Sequence, residues 1–171
     1  PAISRTLSLL KAGKPIRVLA MPPYDQSIVT VLKTLKPAAR VEVTRWEIEG
    51  RSLKQIEQDA ARRVRTMKPD LVLIAVPRTA RAASHEEFLH SYSWIMNYSL
   101  SFSYQQWDCV VIHPTVAIAK VDVANARHDA LVRRLVRAQD LHLVDRPKGS
   151  RAGPTEIFQE WLGRQLQSQL K

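Results

Sequence analysis

A single cysteine, a shortage of acids and the lack of any long apolar run set the first bounds on this chain. Cys109 is the only thiol among 171 residues, which excludes an internal disulfide and a cysteine metal cluster. It stands in the apolar run Asp108-Cys109-Val110-Val111-Ile112, where a thiol is expected to be buried and inert. No window approaches the roughly eighteen consecutive apolar residues of a membrane-spanning helix. No charged-then-apolar leader opens the chain, and because it starts at Pro1 both a cytoplasmic location and export with a removed leader stay open. His85, His90, His113, His128 and His142 are the whole supply of histidine, and none falls in the His-Glu-x-x-His spacing of a zinc site. Neither metal nor other cofactor is expected. No internal repeat, low-complexity tract or linker divides the sequence, so the expectation is one domain over residues 1–171, long enough to bury about two-thirds of its unfolded surface.

What the chain has in excess is positive charge. Twenty-six Lys and Arg against 16 Asp and Glu leave a formal net charge of +10, which makes nucleic acid the first partner to test. Arg62, Arg63, Arg65 and Lys68 close one helical pattern, and Arg127, Arg133, Arg134 and Arg137 line another, where cations near the C-terminal ends complement the helix dipole. Solvated helix faces account for both groups. No helix-turn-helix, zinc finger or aromatic RNA-binding signature accompanies them, so nucleic-acid binding stands third among the functional readings.

The stretch Lys68-Pro69-Asp70-Leu71-Val72-Leu73-Ile74-Ala75-Val76-Pro77-Arg78 is the most informative. An unbroken apolar run between Pro-Asp and Pro-Arg reads as a strand buried on both faces, and such strands belong to parallel sheets covered by helices. Strand and helix patterns alternate around it. Helix is expected over 3–10, strand over 16–21, helix capped by Asp25 or Ser27 through Leu35, strand over 41–46, and helix from Ser52 with Leu53, Ile56, Ala60 and Val64 at helical spacing. Beyond the central strand follow a helix over about 84–105 opened by Ser84, His85, Glu86 and Glu87, a strand over 108–113, a helix over 125–139, a strand over 141–144 and a last helix over 154–170. Short right-handed crossovers between five such strands give a three-layer α/β/α sandwich.

Ser4-Arg5-Thr6-Leu7 through Leu10-Lys11-Ala12-Gly13-Lys14-Pro15-Ile16-Arg17-Val18-Leu19-Ala20, the Gly50 loop before Ser52, and Lys68-Pro69-Asp70-Leu71-Val72-Leu73-Ile74 are similar to successive blocks of one family. Over nearly its whole length the chain resembles the SGNH (GDSL) hydrolase family of esterases and lipases. The resemblance implies a flavodoxin-like five-stranded parallel sheet of order 2-1-3-4-5. It also implies a serine nucleophile after the first strand, an oxyanion hole from that serine's backbone, a glycine and an asparagine, and an Asp-x-x-His before the last helix.

At those positions the residues depart from the family. Pro22-Pro23-Tyr24 stands where Gly-Asp-Ser is expected, and a phenol lacks the compact alkoxide of serine. Gly50 matches the oxyanion glycine, Thr79 replaces the asparagine, and Ser150 and Gly153 take the places of the aspartate and histidine. Ser27 is the substitute nucleophile if the alignment slips. His113, at the end of the fourth strand and before Pro114, is the substitute base, although a histidine satisfied by a neighbouring carbonyl is the simpler expectation.

Active sites of open α/β sheets lie past the carboxyl ends of the strands, and the loops expected there carry cations: Arg51, Arg78, Arg81, Lys120, Arg146, Lys148 and Arg151. Converging guanidinium groups suit carboxylate, sulfate or phosphate, including those of an acidic glycan. The alternative is that they reach into solvent or pair with Glu47, Glu49 and Asp145. The expected protein is thus an SGNH-hydrolase-like domain that has lost ester hydrolysis and serves as a binding or structural module, beside an active hydrolase domain or in a homo-oligomer. A divergent esterase or carbohydrate deacetylase is the alternative.

Overall fold

The computed structural model describes residues 3–101, 106–117 and 123–171. Lys120 and positions 102–105 of the helix expected over 84–105 lie outside the described residues. Five strands, β1 (Ile16–Ala20), β2 (Val41–Arg45), β3 (Leu71–Ile74), β4 (Asp108–Ile112) and β5 (His142–Val144), form one all-parallel sheet of order β2-β1-β3-β4-β5. Val18 pairs with Val43 on one side and Leu71 on the other, and Leu71 in turn with Asp108. All four residues of β3 are buried, as a strand flanked by two others and covered on both faces demands. The edge strand β2 alternates half-buried with exposed residues.

Successive side chains of a strand point to opposite faces, and the two cores follow from that. Leu71 and Leu73 pack with α1 (Ser4–Ala12), α2 (Tyr24–Leu35) and α7 (Pro154–Leu166) through Leu10, Ile28, Leu32, Phe158 and Leu162. Val72 and Ile74 face the other way, onto α3 (Leu53–Met67), α4 (His85–Ser99) and α6 (Ala126–Ala138) through Ile56, Val64, Tyr92, Ile95, Val132 and Val136. The sheet therefore lies between two helical layers. A one-turn helix α5 (Pro114–Ala117) follows β4, and short 3-10 turns precede α6 and follow α7.

Local chemistry sets the helix ends. Ser52 and Gln55 form a capping box at the start of α3, and Ser84 accepts from the Glu87 amide at the start of α4. Gly13 ends α1 with φ of 64°, a left-handed conformation glycine adopts without penalty. The residue before α1, Ile3, has no side chain that can cap it. Asp108 does so from β4, accepting from the Thr6 amide and hydroxyl, each at 2.7 Å, and from the Arg5 amide at 3.3 Å.

Several boundaries differ from the sequence reading. α2 begins at Tyr24 after Pro23, so neither Asp25 nor Ser27 caps it, and the Ser27 hydroxyl donates to the Pro23 carbonyl. α4 ends at Ser99, whose carbonyl accepts from the Trp107 indole and whose hydroxyl bonds back to Ile95. β3 stops at Ile74, two residues before the apolar run ends, because Ala75 turns its amide to the Met21 sulfur.

Candidate functional site

A cavity of about 940 Å³ opens at the carboxyl edge of the sheet. The segment after β1 contributes Pro22, Pro23 and Tyr24; the loop after β2 contributes Ile48 to Ser52; the loop after β3 contributes Ala75 to Arg81; and Ile112, His113 and Pro114 close it below β4. Its position follows from the topology, since β1 and β3 are where the strand order reverses direction and their following segments diverge.

Of the residues that the resemblance leads one to expect at catalytic positions, Tyr24, Gly50 and Thr79 line this cavity. Tyr24, the first residue of α2, is 1 % exposed, and its ring stands edge-on to Phe158 at 5.3 Å. The phenol hydroxyl has no hydrogen-bond partner among the described residues. Burial pushes it up to about 12, with the Arg146 charge acting weakly the other way, so it stays protonated at neutral pH. Gly50 holds φ of 71°, which makes it the residue that lets the β2 loop turn back toward α3. Thr79 sits exposed in the turn closed by the Ala80 amide on the Pro77 carbonyl at 3.1 Å.

Ser150 and Gly153 do not line the cavity. The Ser150 hydroxyl accepts from the Ala152 amide, and Gly153 is the residue before α7. Ser27 lies on α2 and also stays outside the cavity wall. His113 does reach it, but both ring nitrogens are engaged within the protein. Nε2 lies 2.9 Å from the Asp129 carbonyl, which places the proton there, while Nδ1 accepts the Thr115 amide at 3.2 Å and lies 2.6 Å from its hydroxyl. Burial lowers its basicity, outweighing the carbonyl contact and the nearby Asp145 carboxylate that favour the proton. Asp145 itself answers to Arg133, at 2.6 and 3.1 Å, and to the Arg146 amide. Its burial acts to raise its pKa, but these contacts hold the carboxyl below the ordinary range. Cys109 is buried, and the loss of solvation pushes its thiol up to about 12.

The five arginines and Lys148 of the carboxyl-edge loops divide. Arg51, Arg78 and Arg81 line the cavity; Arg146, Lys148 and Arg151 do not. Arg78 forms a two-point ion pair with Asp129, 2.9 and 2.6 Å, with both side chains under a tenth exposed. Arg146 donates to four backbone carbonyls, of Thr115, Val116, Ser150 and Ala152, and ties the loop after β5 to α5. Arg51 pairs with Asp59 at 3.0 Å, a carboxylate that also holds Arg62 and Arg63. Burial would raise the Asp59 carboxyl, yet these three guanidinium groups pull it below its usual range. No carboxylate pairs with the exposed Arg81 among the described residues.

Sequence reasoning missed two participants. Arg45, paired with Glu47 at 3.1 Å, also lines the cavity. Asp129 is the partner of Arg78, and its signal was present: with Val132 and Val136 it forms the buried stripe of α6, and an acid on an apolar stripe requires a buried cation.

Two solved structures are similar to this chain in fold. The chain superimposes on the acetyl xylan esterase AlAXEase with a TM-score of 0.58 at 13 % identity, covering 86 % of this chain and 99 % of that one. It does so on an alpha/beta hydrolase enzyme from the metagenome of Lake Arreo, Spain, with a TM-score of 0.58 at 12 % identity, covering 87 % and 94 %. At these identities the likeness is one of fold. No protein-family model and no curated protein sequence matches the chain.

Proposed function

We propose that this chain is an SGNH-hydrolase-like domain that binds an anionic ligand at the carboxyl edge of its sheet and does not hydrolyse esters there. The observation that carries the reading is Tyr24. At the position the family resemblance gives to the nucleophile stands a buried phenol, raised to about 12, with no base hydrogen-bonded to it among the described residues. Nucleophilic catalysis needs a deprotonated or base-activated oxygen facing the substrate, and this hydroxyl is neither. Ser27 and His113 do not stand in for the missing pair: His113 spends both nitrogens on Asp129 and Thr115, and Ser27 spends its proton on Pro23. Binding is supported by the cavity's size, within the range of small-molecule sites, and by Arg51 and Arg81 in its wall.

The test is the rate of 4-nitrophenyl acetate hydrolysis by the natural chain, Tyr24→Phe and Ser27→Ala. Equal rates in all three are expected. A rate for the natural chain well above either variant would establish the divergent esterase instead.

A further inference from the structure

We propose that the cavity takes a small amphipathic anion, an apolar body with one terminal carboxylate or phosphate, seated with its head between Arg51 and Arg81. This rests on the reading of the cavity as an anion site and adds the chemical class of the ligand. The wall sets that class in two ways. Pro22, Ile48, Val76, Pro77 and Ile112 present hydrocarbon to the interior, where the hydroxyls of a glycan would lose water without gaining partners. The positive charge, by contrast, gathers at one side of the rim. The Leu53 amide donates to the Arg81 carbonyl at 2.8 Å, tying the loop after β3 to the start of α3 and so holding Arg81 close to the Arg51 segment.

The ion pairs around this rim leave charge uncompensated. Among the described residues the cavity wall carries Arg45, Arg51, Arg78 and Arg81 against one carboxylate, Glu49; Arg51 shares Asp59 with Arg62 and Arg63 of α3, and Arg81 has no acidic partner. Arg78 is different, since Asp129 saturates its charge at two points and fixes the loop rather than offering it to a ligand. An anionic head supplies the missing charge. Exposed ion pairs are individually weak and screened by salt, so an apolar body buried against the wall has to supply the rest of the affinity.

Calorimetric titration of the whole chain with octyl phosphate, octanoate, hexyl phosphate, inorganic phosphate, octyl glucoside and a sulfated oligosaccharide tests this. The expected result is binding of an octyl anion far tighter than inorganic phosphate or octyl glucoside, weakened by added salt, with about a fourfold gain per added methylene between hexyl and octyl phosphate. The ratio of octanoate to octyl phosphate identifies the head. Arg81 is exposed, so Arg81→Gln should keep its melting temperature while losing about fivefold in affinity, and Arg81→Lys should restore most of it. Octyl glucoside binding as tightly as the anions, or octyl-anion affinity unchanged in Arg81→Gln and in Arg51→Gln/Arg81→Gln, would overturn the inference. Binding of the sulfated oligosaccharide without the octyl anions would overturn it and leave the anion site standing; binding of none of them would overturn both.

Discussion

At the residue scale the Arg78 and Asp129 pair shows how a cation expected to greet a ligand can instead serve the fold. Both charges have left water, so each needs the other. Asp129→Asn or Arg78→Met alone should cost about 3–5 kcal/mol in urea denaturation, because either leaves its partner charged and buried. The apolar double variant Arg78→Met/Asp129→Leu should recover most of that loss. The histidines give a pH dependence of definite sign. Burial lowers both His113 and His128, so below the ordinary pKa of about 6.5 the unfolded chain takes up protons that the folded chain refuses. Their stability is complete above that pH and is lost as pH falls through it toward the lowered folded values. Thermal midpoints should therefore hold steady from about pH 8 to 7 and decline toward pH 5, with a shallower decline in His113→Gln/His128→Gln. Against His113 stand Asp145, Arg133 and Asp129, and the acid end of the curve belongs to Asp59 and Asp145, whose lowered pKa values withdraw stability only below about pH 4.

At the scale of elements, burial on both faces made the central strand legible. Leu71 to Ile74 needed no alternation, and an apolar run framed by Pro69-Asp70 and Pro77 had no other use. Ile74→Ala should accordingly cost about 2–5 kcal/mol. Helix starts with their own caps were equally readable, Ser52 and Ser84 above all, and Ser52→Ala should cost about 1 kcal/mol on thermal or urea unfolding. What the pattern hid was anything decided from a distance. α1 takes its cap from Asp108, a hundred residues on, and the end of β3 depends on a sulfur from Met21. α2 starts at Tyr24 because that side chain is drawn into the core against Phe158, a contact no local signal announces.

At the scale of the molecule, strand order and the two-layered core were written in the alternation of periodic segments, and the five-stranded parallel sheet of order β2-β1-β3-β4-β5 is the result. The site was legible as a place, the carboxyl edge, but not as a set of contacts. Arg78 and Asp129 are 51 positions apart, and Arg146 turned out to bind backbone carbonyls. We propose that this edge carries a ligand cavity in which none of the expected residues is an activated nucleophile: the phenol of Tyr24 is buried, Ser27 lies outside the cavity, and His113 is occupied on both nitrogens. Intact-mass analysis after incubation with a fluorophosphonate measures that most directly. The chain should remain unmodified, whereas a stoichiometric adduct on Ser27, Tyr24 or any other cavity hydroxyl would contradict the account.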